Sequence, residues 1–370
     1  MKRILLSGGG TGGHIYPALA IARTVKKRYP DVEIAYIGTE QGLESRIVPK
    51  EGNIHFYTIK IQGFTRSISW KNVNTIRTFI SAVKRSKEYI KEFRPDVFVG
   101  TGGFVSGPPV YAAHQMGIPT LIHEQNVVLG MTTKFLSRYV DVVAISLEES
   151  QKYLGRANRI VFTGNPRATE VVQANATLGR KSLGIADAHR PIILLFGGSR
   201  GAKAINEAVL QMVPHMKELP HVHFVYVTGE VHYDTIRSHI PLDEIPNLYV
   251  KPFIYNMPDV LAATYLVVGR AGASTLAELT ALGLPSVLIP SPYVTNNHQE
   301  ANARWLEEQG ASKMLLESEL TGDVLWREVK RLIEDTEEHH VMSEAARRLG
   351  RPQAAEVLVD ELEKIAAIRP

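Results

Sequence analysis

His14 lies at the end of a glycine-rich turn, where a helix is predicted to begin. Residues 7–22 read SGGGTGGHIYPALAIA and follow a short apolar run at residues 4–6. Backbone N–H groups at a helix N-terminus bind anions and stabilise negative charge that develops during a reaction. The dipole of such a helix disfavours a charged imidazole, so we expect His14 to stay neutral and able to accept a proton. The segment predicts an anion-binding turn with a general base at its edge; the simpler interpretation is a tight turn that needs glycine for its backbone angles.

Five more segments place small or hydrogen-bonding residues at the ends of predicted strands: GTGGFVSGPP at 100–109, HEQN at 123–126, GNPR at 164–167, FGGSRG at 196–201 and GRAGASTLAE at 269–278. Glu124 is an alternative base, and Ser199 is a candidate phosphate ligand. Glu278 can either complement the dipole of its helix or bind a ribose. In NNHQEANA, at 296–303, several amides precede a helix, and capping explains only one of them.

Short apolar segments alternate with helical stretches along the chain, which predicts the α/β class. The predicted strands are residues 3–6, 33–37, 56–61, 97–100, 120–123, 142–145, 160–163, 192–196, 223–227, 248–250, 266–269 and 286–289. The second half opens like the first, with a strand, a Gly-rich turn and a helix. We therefore predict two doubly wound parallel-sheet domains, 1–165 and 166–349, that face a common cleft. A C-terminal helix at about 350–370 can pack back on the first domain.

Composition excludes several classes of protein. The 370 residues include 44% hydrophobic and 22% charged residues, as in ordinary soluble proteins, and no cysteine. Disulfides and thiolate metal sites are thereby excluded. We expect neither a signal peptide nor a membrane span, because the apolar runs are too short.

The nucleotide-binding motifs of other enzyme classes match poorly. Gly8, Gly10 and Gly13 satisfy the spacing of a dinucleotide fingerprint, but the acid expected about 20 residues later comes late, at Glu40. A P-loop is absent from the sequence, and so is an Asp-x-Asp motif. A nicotinamide enzyme stays open as an alternative, whereas a metal-bridged sugar-nucleotide site lacks its ligands.

Taken in order, GGTGGHIYPALAIA, HEQN, GNPR, GGSRG, GASTLAE and HQEANA resemble one bacterial family across the whole chain. It is the family of UDP-N-acetylglucosamine:lipid I N-acetylglucosaminyltransferases of peptidoglycan synthesis. The resemblance implies a GT-B fold, in which two Rossmann-like domains face each other across a cleft. The first domain would face the acceptor and the membrane, and the second would bind UDP-GlcNAc.

The resemblance also implies a reaction. GlcNAc would move from UDP-GlcNAc to the 4-hydroxyl of MurNAc in lipid I, undecaprenyl-pyrophosphoryl-MurNAc-pentapeptide, with inversion at the anomeric carbon. The product, lipid II, would serve cell-wall synthesis, cell shape and cell division. Neither a cofactor nor a strictly required metal is implied. The enzyme would be peripheral at the cytoplasmic side of the cell membrane, with other cell-wall and division proteins as candidate partners and no nucleic acid.

The family pattern assigns roles to individual residues of this chain. His14 or Glu124 would be the base. UDP-GlcNAc would be bound by Thr11, Gly12, Gly13, Asn126, Arg167, Ser199, Ile254 (through its backbone, at the uracil), Gly272, Ala273, Ser274, Thr275, Leu276, Ala277, Glu278 (ribose) and Gln299 (GlcNAc hydroxyls). Two positions depart from one common form of the pattern: GNPR lacks a residue before its arginine, and His298 replaces the first of two glutamines. The role of Arg167 is therefore left open.

A basic amphipathic segment precedes the predicted strand at 97–100. Between residues 66 and 94, eight basic residues accompany two acidic ones, so the segment's net charge of +6 exceeds the whole chain's +4. Apolar residues recur there at helical spacing: Trp70, Val73, Ile76, Phe79, Ile80 and Val83. One interpretation is a core-packed helix with a solvated basic face. The other is a surface that rests on anionic lipid through Trp70, Ile76, Phe79, Ile80, Lys84, Arg85 and Lys87.

Three other functions stay open at this point. A GT-B relative with another acceptor, such as a diacylglycerol glycosyltransferase, or a UDP-GlcNAc epimerase would share the donor motifs. A nicotinamide oxidoreductase would share only the first turn. A non-catalytic UDP-sugar-binding protein would keep Glu278 and Gln299 but would not need His14.

Overall fold

The computed structural model describes residues 1–62, 70–198 and 201–367, with the backbone alone for residues 70–74. The chain forms two compact units. The first unit comprises Met1–Arg167 together with Gln353–Pro370, and the second comprises Ala168–Pro352.

Each unit is built on a parallel β-sheet. The strands of the first sheet are β1 (Arg3–Ser7), β2 (Glu33–Thr39), β3 (Ile54–Ile59), β4 (Val97–Gly100), β5 (Thr120–Glu124), β6 (Val142–Ile145) and β7 (Ile160–Phe162). Those of the second are β8 (Ile192–Phe196), β9 (His223–Val227), β10 (Leu248–Lys251), β11 (Leu266–Gly269), β12 (Ser286–Leu288) and β13 (Lys313–Met314). The spatial orders are β3-β2-β1-β4-β5-β6-β7 and β10-β9-β8-β11-β12-β13.

Helices cover both faces of each sheet. They are α1 (Gly12–Arg28), α2 (Glu44–Ile47), α3 (Trp70–Phe93), α4 (Gly107–Gln115), α5 (Met131–Leu136), α6 (Arg167–Val171), α7 (Ala176–Leu183), α8 (Lys203–Met212), α9 (Tyr233–Arg237), α10 (Met257–Ala262), α11 (Ala273–Leu282), α12 (His298–Glu308), α13 (Gly322–Glu334), α14 (Thr336–Leu349) and α15 (Ala354–Ala367). Short 3₁₀ turns cover Val48–Glu51, Phe104–Ser106, Glu148–Tyr153, Val213–Glu218, Glu230–His232, Leu242–Glu244, Thr295–Asn297 and Glu317–Glu319. Among the residues described, no helix is both long enough and apolar enough to cross a membrane.

The strands β4, β6, β8 and β11 are continuous apolar runs because both of their faces are buried. In β1, Ile4 and Leu6 point to the core that α1 and α15 close, while Leu5 points to the core on the opposite face. In β8, Ile193 and Leu195 likewise face one core and Leu194 faces the other. These two buried parallel sheets confirm the predicted α/β class.

The strands β3 and β13 differ most from the predictions, and the last helix of the chain packs against the first. The strand expected at 56–61 runs from Ile54 to Ile59. The two-residue strand β13 was not predicted, since it has no periodic signal and depends on pairing with β12. The last helix, α15, packs against α1, and Arg28 binds Asp360 at 2.5 Å and Glu363 at 2.8 Å.

Candidate active site

Four of the singled-out loops of the first unit meet at the carboxyl edge of its sheet. The Gly9 N–H donates to the Gly102 carbonyl at 3.3 Å. The Gln125 amide donates to the Thr101 carbonyl at 2.7 Å, and the His123 ring bonds the Gly164 carbonyl at 3.0 Å. The carboxyl ends of neighbouring parallel strands lie at one edge, where open α/β sheets bind ligands.

The geometry of His14 defines which of its nitrogens is basic. The residue lies in the first turn of α1, half-buried, with Nδ1 3.1 Å from the Gly9 carbonyl oxygen and 3.2 Å from Thr11 Oγ1. A carbonyl only accepts hydrogen bonds, so Nδ1 carries the proton of a neutral ring and the basic lone pair is on Nε2. Thr101 Oγ1 donates to the His14 carbonyl at 2.7 Å and ties the helix start to the next loop. This arrangement suits a general base.

The turn before His14 presents backbone donors. Gly10 has a φ of +82°, which L side chains rarely adopt. Thr11 occupies the N-cap position of α1 without a capping bond from its side chain. Thr11 and Gly13 are exposed and Gly12 is half-buried. The first N–H groups of a helix have no intrahelical partner, so this turn can bind the anionic part of a ligand.

Glu124 holds the loop that follows it through hydrogen bonds. The side chain is 3% exposed. Its carboxylate accepts the N–H groups of Gln125, Asn126 and Gly130, each at 3.1 Å, and the Asn126 side-chain amide at 3.3 Å. A proton taken up by this carboxylate would displace one of those bonds, so the geometry favours His14 over Glu124 as the base. Asn126 is held half-buried by the same carboxylate, in a defined orientation.

His123 is part of a buried structural network. Burial lowers the pKa of His123 to about 4, against the opposing effects of the bond to Gly164 and of the nearby Glu124. The neutral ring donates from Nε2 to the Gly164 carbonyl and accepts at Nδ1 from the Gln125 amide, 3.0 Å away. HEQN therefore uses two of its four side chains to connect loops of the first unit.

Arg167 begins α6, and its guanidinium lies over the Tyr16 ring, 5.6 Å from the ring centroid. The Asn165 side chain accepts the Arg167 N–H at 3.1 Å. The arginine is thus held in the first unit by backbone and side-chain contacts, and its proposed contact with the donor stays a prediction.

The second unit has a pocket of about 600 Å³ next to the carboxyl ends of its central strands. It is lined by Gly197, Gly201, Ala202, Lys203, Ala204, Glu207, Arg270, Ser291, Tyr293, Gln299 and Glu317. Ser199, the predicted phosphate ligand, lies outside the described residues. In the described part of the chain, no group of three or more His, Asp and Glu side chains is arranged to hold a metal ion.

Gln299 lines this pocket from the first turn of α12. Its Oε1 accepts the Ser291 backbone N–H at 2.9 Å. With the carbonyl oxygen bound in this way, the NH2 group is the donor left for a ligand hydroxyl. The neighbouring His298 ring bonds the Thr295 carbonyl at 2.8 Å, so the two side chains are fixed separately.

The N-terminus of α11 combines backbone donors with a hydroxyl. Gly272 is its N-cap and has no side chain to cap the first turn, which continues with Ala273, Ser274 and Thr275. The Ser274 hydroxyl is buried and has no hydrogen-bond partner among the residues described. A helix start with an unpaired hydroxyl is suited to a phosphate.

The other predicted donor residues are more buried. Leu276 is 1% exposed and Ile254 is 7% exposed, and both side chains belong to the same apolar core, so each can offer a ligand only its backbone. Ala277 is half-buried. Glu278, 8% exposed, lies in the second turn of α11.

Arg270 and Glu317 were not predicted from sequence. They form a largely buried ion pair at 2.6 Å within the pocket lining. Arg270 also donates to the Ile289 carbonyl at 3.1 Å. Arg270 could have been predicted as a site residue, because a cation directly follows the predicted strand that ends at Gly269. Glu317 lies far away in sequence and had no such signal.

Two parallel-sheet α/β units, with glycine-rich turns and helix starts at the carboxyl ends of their strands, are the features of the GT-B class of glycosyltransferases. Comparison with known proteins narrows this class. The N-terminal domain model of glycosyltransferase family 28 matches residues 4–145, and its C-terminal domain model matches residues 192–358.

The chain is 52% identical to the UDP-N-acetylglucosamine–N-acetylmuramyl-(pentapeptide) pyrophosphoryl-undecaprenol N-acetylglucosamine transferase 1 of Bacillus cereus, over 98% of this chain and 99% of that protein. A transferase of the same name, without the numeral, from Halalkalibacterium halodurans is 52% identical over 98% of this chain and 100% of that protein. The crystal structure of Acinetobacter baumannii MurG is 30% identical, with a TM-score of 0.78 over 98% of this chain and 100% of that chain. This chain belongs to that family of N-acetylglucosamine transferases, within glycosyltransferase family 28. The resemblance predicted from the motifs is confirmed.

Proposed function

We propose that this protein transfers GlcNAc from UDP-GlcNAc to the 4-hydroxyl of MurNAc in lipid I, forming lipid II with inversion at the anomeric carbon. The observation that carries this conclusion is the full-length match, at 52% identity, to a transferase named for this donor and acceptor. The sites described above suit each step of the reaction.

The proposed mechanism is a direct displacement. The acceptor hydroxyl loses its proton to His14 Nε2 while its oxygen bonds to the anomeric carbon. The bond from that carbon to the β-phosphate oxygen breaks, and its electron pair leaves with UDP. In this mechanism the N-terminus of α11 and the Ser274 hydroxyl, which is buried and has no hydrogen-bond partner among the residues described, stabilise the charge on the diphosphate. We propose that Asn126 and Gln299 bind sugar hydroxyls.

Release of UDP tests the proposed function. The purified protein should release UDP from UDP-GlcNAc when a short-chain lipid I analogue is present, and not when it is absent. Release with diacylglycerol as acceptor would indicate a different GT-B transferase. Interconversion of UDP-GlcNAc with its C2 epimer, without any acceptor, would indicate an epimerase.

We infer that the leaving diphosphate is stabilised without a metal ion. Positive potential comes from the start of α11, whose first N–H groups have no intrahelical partner, whereas the charge of Arg270 is offset by Glu317 at 2.6 Å. UDP release in saturating EDTA should therefore match that in Mg²⁺ when a water-soluble acceptor is used. Activity that EDTA abolishes and Mg²⁺ restores would contradict this account.

Replacing Gln299 with alanine is expected to weaken the discrimination between UDP-GlcNAc and UDP-GalNAc about tenfold. The reason is that a site built to bind a particular hydroxyl disfavours the isomer that misplaces it. The measurement is the ratio of kcat/KM for the two donors. Gln309→Ala, at the exposed C-terminal end of the same helix, is the matched control. Unchanged selectivity in Gln299→Ala would remove this role.

We also propose that the first unit docks on an anionic membrane at the cytoplasmic face. In α3, Ile76 and Ile80 are 52% and 63% exposed. Phe79, by contrast, packs against Phe135 of α5 with ring centroids 6.0 Å apart, and Val83 packs against the core. Only part of the predicted apolar stripe is therefore available to lipid. The side chain of Trp70 lies outside the described residues.

The helix α5 extends this surface. Met131, at its start, is 65% exposed, and Lys134 is exposed one turn later. Lys84 is exposed on α3 and Lys87 is half-buried. Arg85 instead pairs with Glu88 at 2.6 Å and lies over the Tyr89 ring, so its charge is already engaged. We call Ile76, Ile80, Met131, Lys84, Lys87 and Lys134 the basic apolar surface.

A further inference from the structure

Glu44 is a fully buried carboxylate that the mechanism above does not use. It is the first residue of the short helix α2, and its exposure is 0%. Among the residues that the structure describes, no lysine or arginine forms an ion pair with it. A buried charge without a counter-ion is costly unless hydrogen bonds compensate for the loss of water. The burial of this carboxylate therefore needs a physical reason.

The carboxylate is bound on both of its oxygens. Oε1 accepts the Thr39 N–H at 3.0 Å and the Thr39 hydroxyl at 2.5 Å. Oε2 accepts the N–H of Gly10 at 3.1 Å, which is part of the turn that precedes His14. A Cβ atom added at Gly9 would lie only 2.7 Å from the Glu44 carboxyl group, so the turn approaches Glu44 in a way that glycine permits.

One peptide group connects Glu44 with His14. The peptide between Gly9 and Gly10 donates its N–H to Glu44 Oε2, and its carbonyl oxygen lies 3.1 Å from His14 Nδ1. An N–H that donates to an anion shifts electron density towards its own carbonyl oxygen, so successive hydrogen bonds strengthen one another. The negative charge of Glu44 thereby strengthens the hydrogen bond between the Gly9 carbonyl oxygen and Nδ1 of the imidazole.

We propose that Glu44 is a positioning residue for His14. Through the Gly9–Gly10 peptide, it keeps the proton on Nδ1 and so presents the basic lone pair at Nε2. It does so electrostatically, and no proton passes through the peptide. The arrangement is comparable to a carboxylate that orients a catalytic histidine directly, with one peptide group inserted between them. The catalytic part of this inference rests on the proposed function.

Tyr36 holds the adjacent part of the turn. Its hydroxyl donates to the Gly8 carbonyl at 2.5 Å. Burial, and secondarily the charge of Glu44, raises the pKa of Tyr36 well above its usual value, so the hydroxyl stays a donor. Tyr36 therefore fixes the position of Gly8, while the contact that reaches the His14 ring runs from Glu44.

Glu44→Gln removes the charge and nearly keeps the volume. We expect kcat with the short-chain lipid I analogue to fall about tenfold and the KM for UDP-GlcNAc to change little. In the His14→Ala background, the same substitution should change kcat less than twofold, because Glu44 acts through the imidazole. An equal loss in both backgrounds, or no loss in either, would overturn the proposal.

A second readout does not depend on activity. In the protein labelled with ¹⁵N-histidine, the signals lost in His14→Ala identify the His14 ring. Their chemical shifts should indicate a proton on Nδ1 in the wild type and a lower population of that tautomer in Glu44→Gln. An unchanged tautomer population in Glu44→Gln would overturn the proposal, even if the wild type proved to lack transferase activity.

Glu361→Gln is the matched control for loss of a buried carboxylate in the same unit. Glu361 lies on α15, pairs with Arg159 at 2.5 Å and is 4% exposed. Its substitution should lower the melting temperature without changing kcat or the His14 signals. If Glu361→Gln changed the His14 tautomer as much as Glu44→Gln did, the effect would be one of general stability and the proposal would fail.

Discussion

Replacing His14 with alanine is expected to lower kcat at least about a hundredfold, the lower end of what a general base contributes. The variant lacks the imidazole and with it the basic nitrogen Nε2. The backbone N–H groups of Thr11, Gly12 and Gly13 stay in place. The measurement is steady-state UDP release at saturating UDP-GlcNAc and saturating short-chain lipid I analogue.

Donor binding provides the control for this variant. Titration calorimetry should give a similar Kd for UDP-GlcNAc in His14→Ala and in the wild type, because the imidazole acts on the acceptor hydroxyl.

The variant Glu124→Gln is measured in parallel. Its kcat should also fall, because the substitution disturbs the loop at residues 124–130. Turnover of His14→Ala within a few-fold of the wild type would contradict the assignment of His14 as the base.

Reversing three charges of the basic apolar surface is expected to abolish most binding to anionic vesicles. Each cation near such a membrane contributes about 1 kcal/mol, so changing Lys84, Lys87 and Lys134 to glutamate should lower partitioning more than about a hundredfold at low salt. Sedimentation with phosphatidylglycerol vesicles measures this directly. Arg85 is left unchanged because its pairing with Glu88 and Tyr89 would complicate the result.

A control variant with the same change in net charge, made on the second unit, distinguishes the effect of the basic apolar surface from the effect of net charge. Lys181, Lys217 and Arg237 are exposed on the second unit, and their replacement by glutamate should reduce vesicle binding far less. Both triple variants should turn over a water-soluble acceptor at nearly the wild-type rate. Similar vesicle binding by the two triple variants would contradict a specific docking surface.

Regular elements could be predicted from the sequence because their signals are local. Fully buried strands such as β6 and β8 are unbroken apolar runs, and their predicted bounds agree with the structure. The position of His14 at a helix start could also be predicted, since glycines precede it and a helical apolar pattern follows it. The same local signals located the first turns of α11 and α12.

Partnerships across the chain could not be predicted in the same way. Glu44 lies 34 residues after Gly10, in a polar segment without periodicity, and only the folded sheet brings the two together. Arg270 and Glu317 are likewise joined only when β11 and the 3₁₀ turn at Glu317–Glu319 are in place. His123 and Gln125 of the HEQN motif are likewise buried and hydrogen-bond the Gly164 and Thr101 carbonyls of neighbouring loops, which the local sequence did not indicate.

The apolar stripe of α3 shows a related limit. Helical spacing predicts that Ile76, Phe79, Ile80 and Val83 share a face, but a wide stripe can divide between core and solvent. Phe79 packs against aromatic rings of α4 and α5, whereas Ile76 and Ile80 stay exposed. Which side of such a stripe is buried depends on neighbouring helices, and the periodicity contains no information about them.

The configuration of the product tests the central claim most directly. The short-chain lipid I analogue, incubated with UDP-GlcNAc and the protein, should yield a product heavier by one GlcNAc residue, together with one equivalent of UDP. The anomeric proton coupling in its NMR spectrum should show a β linkage to the 4-oxygen of MurNAc, the inverse of the α-linked donor. Failure to form this product, or formation of an α-linked one, would contradict direct displacement by an acceptor oxygen deprotonated at His14.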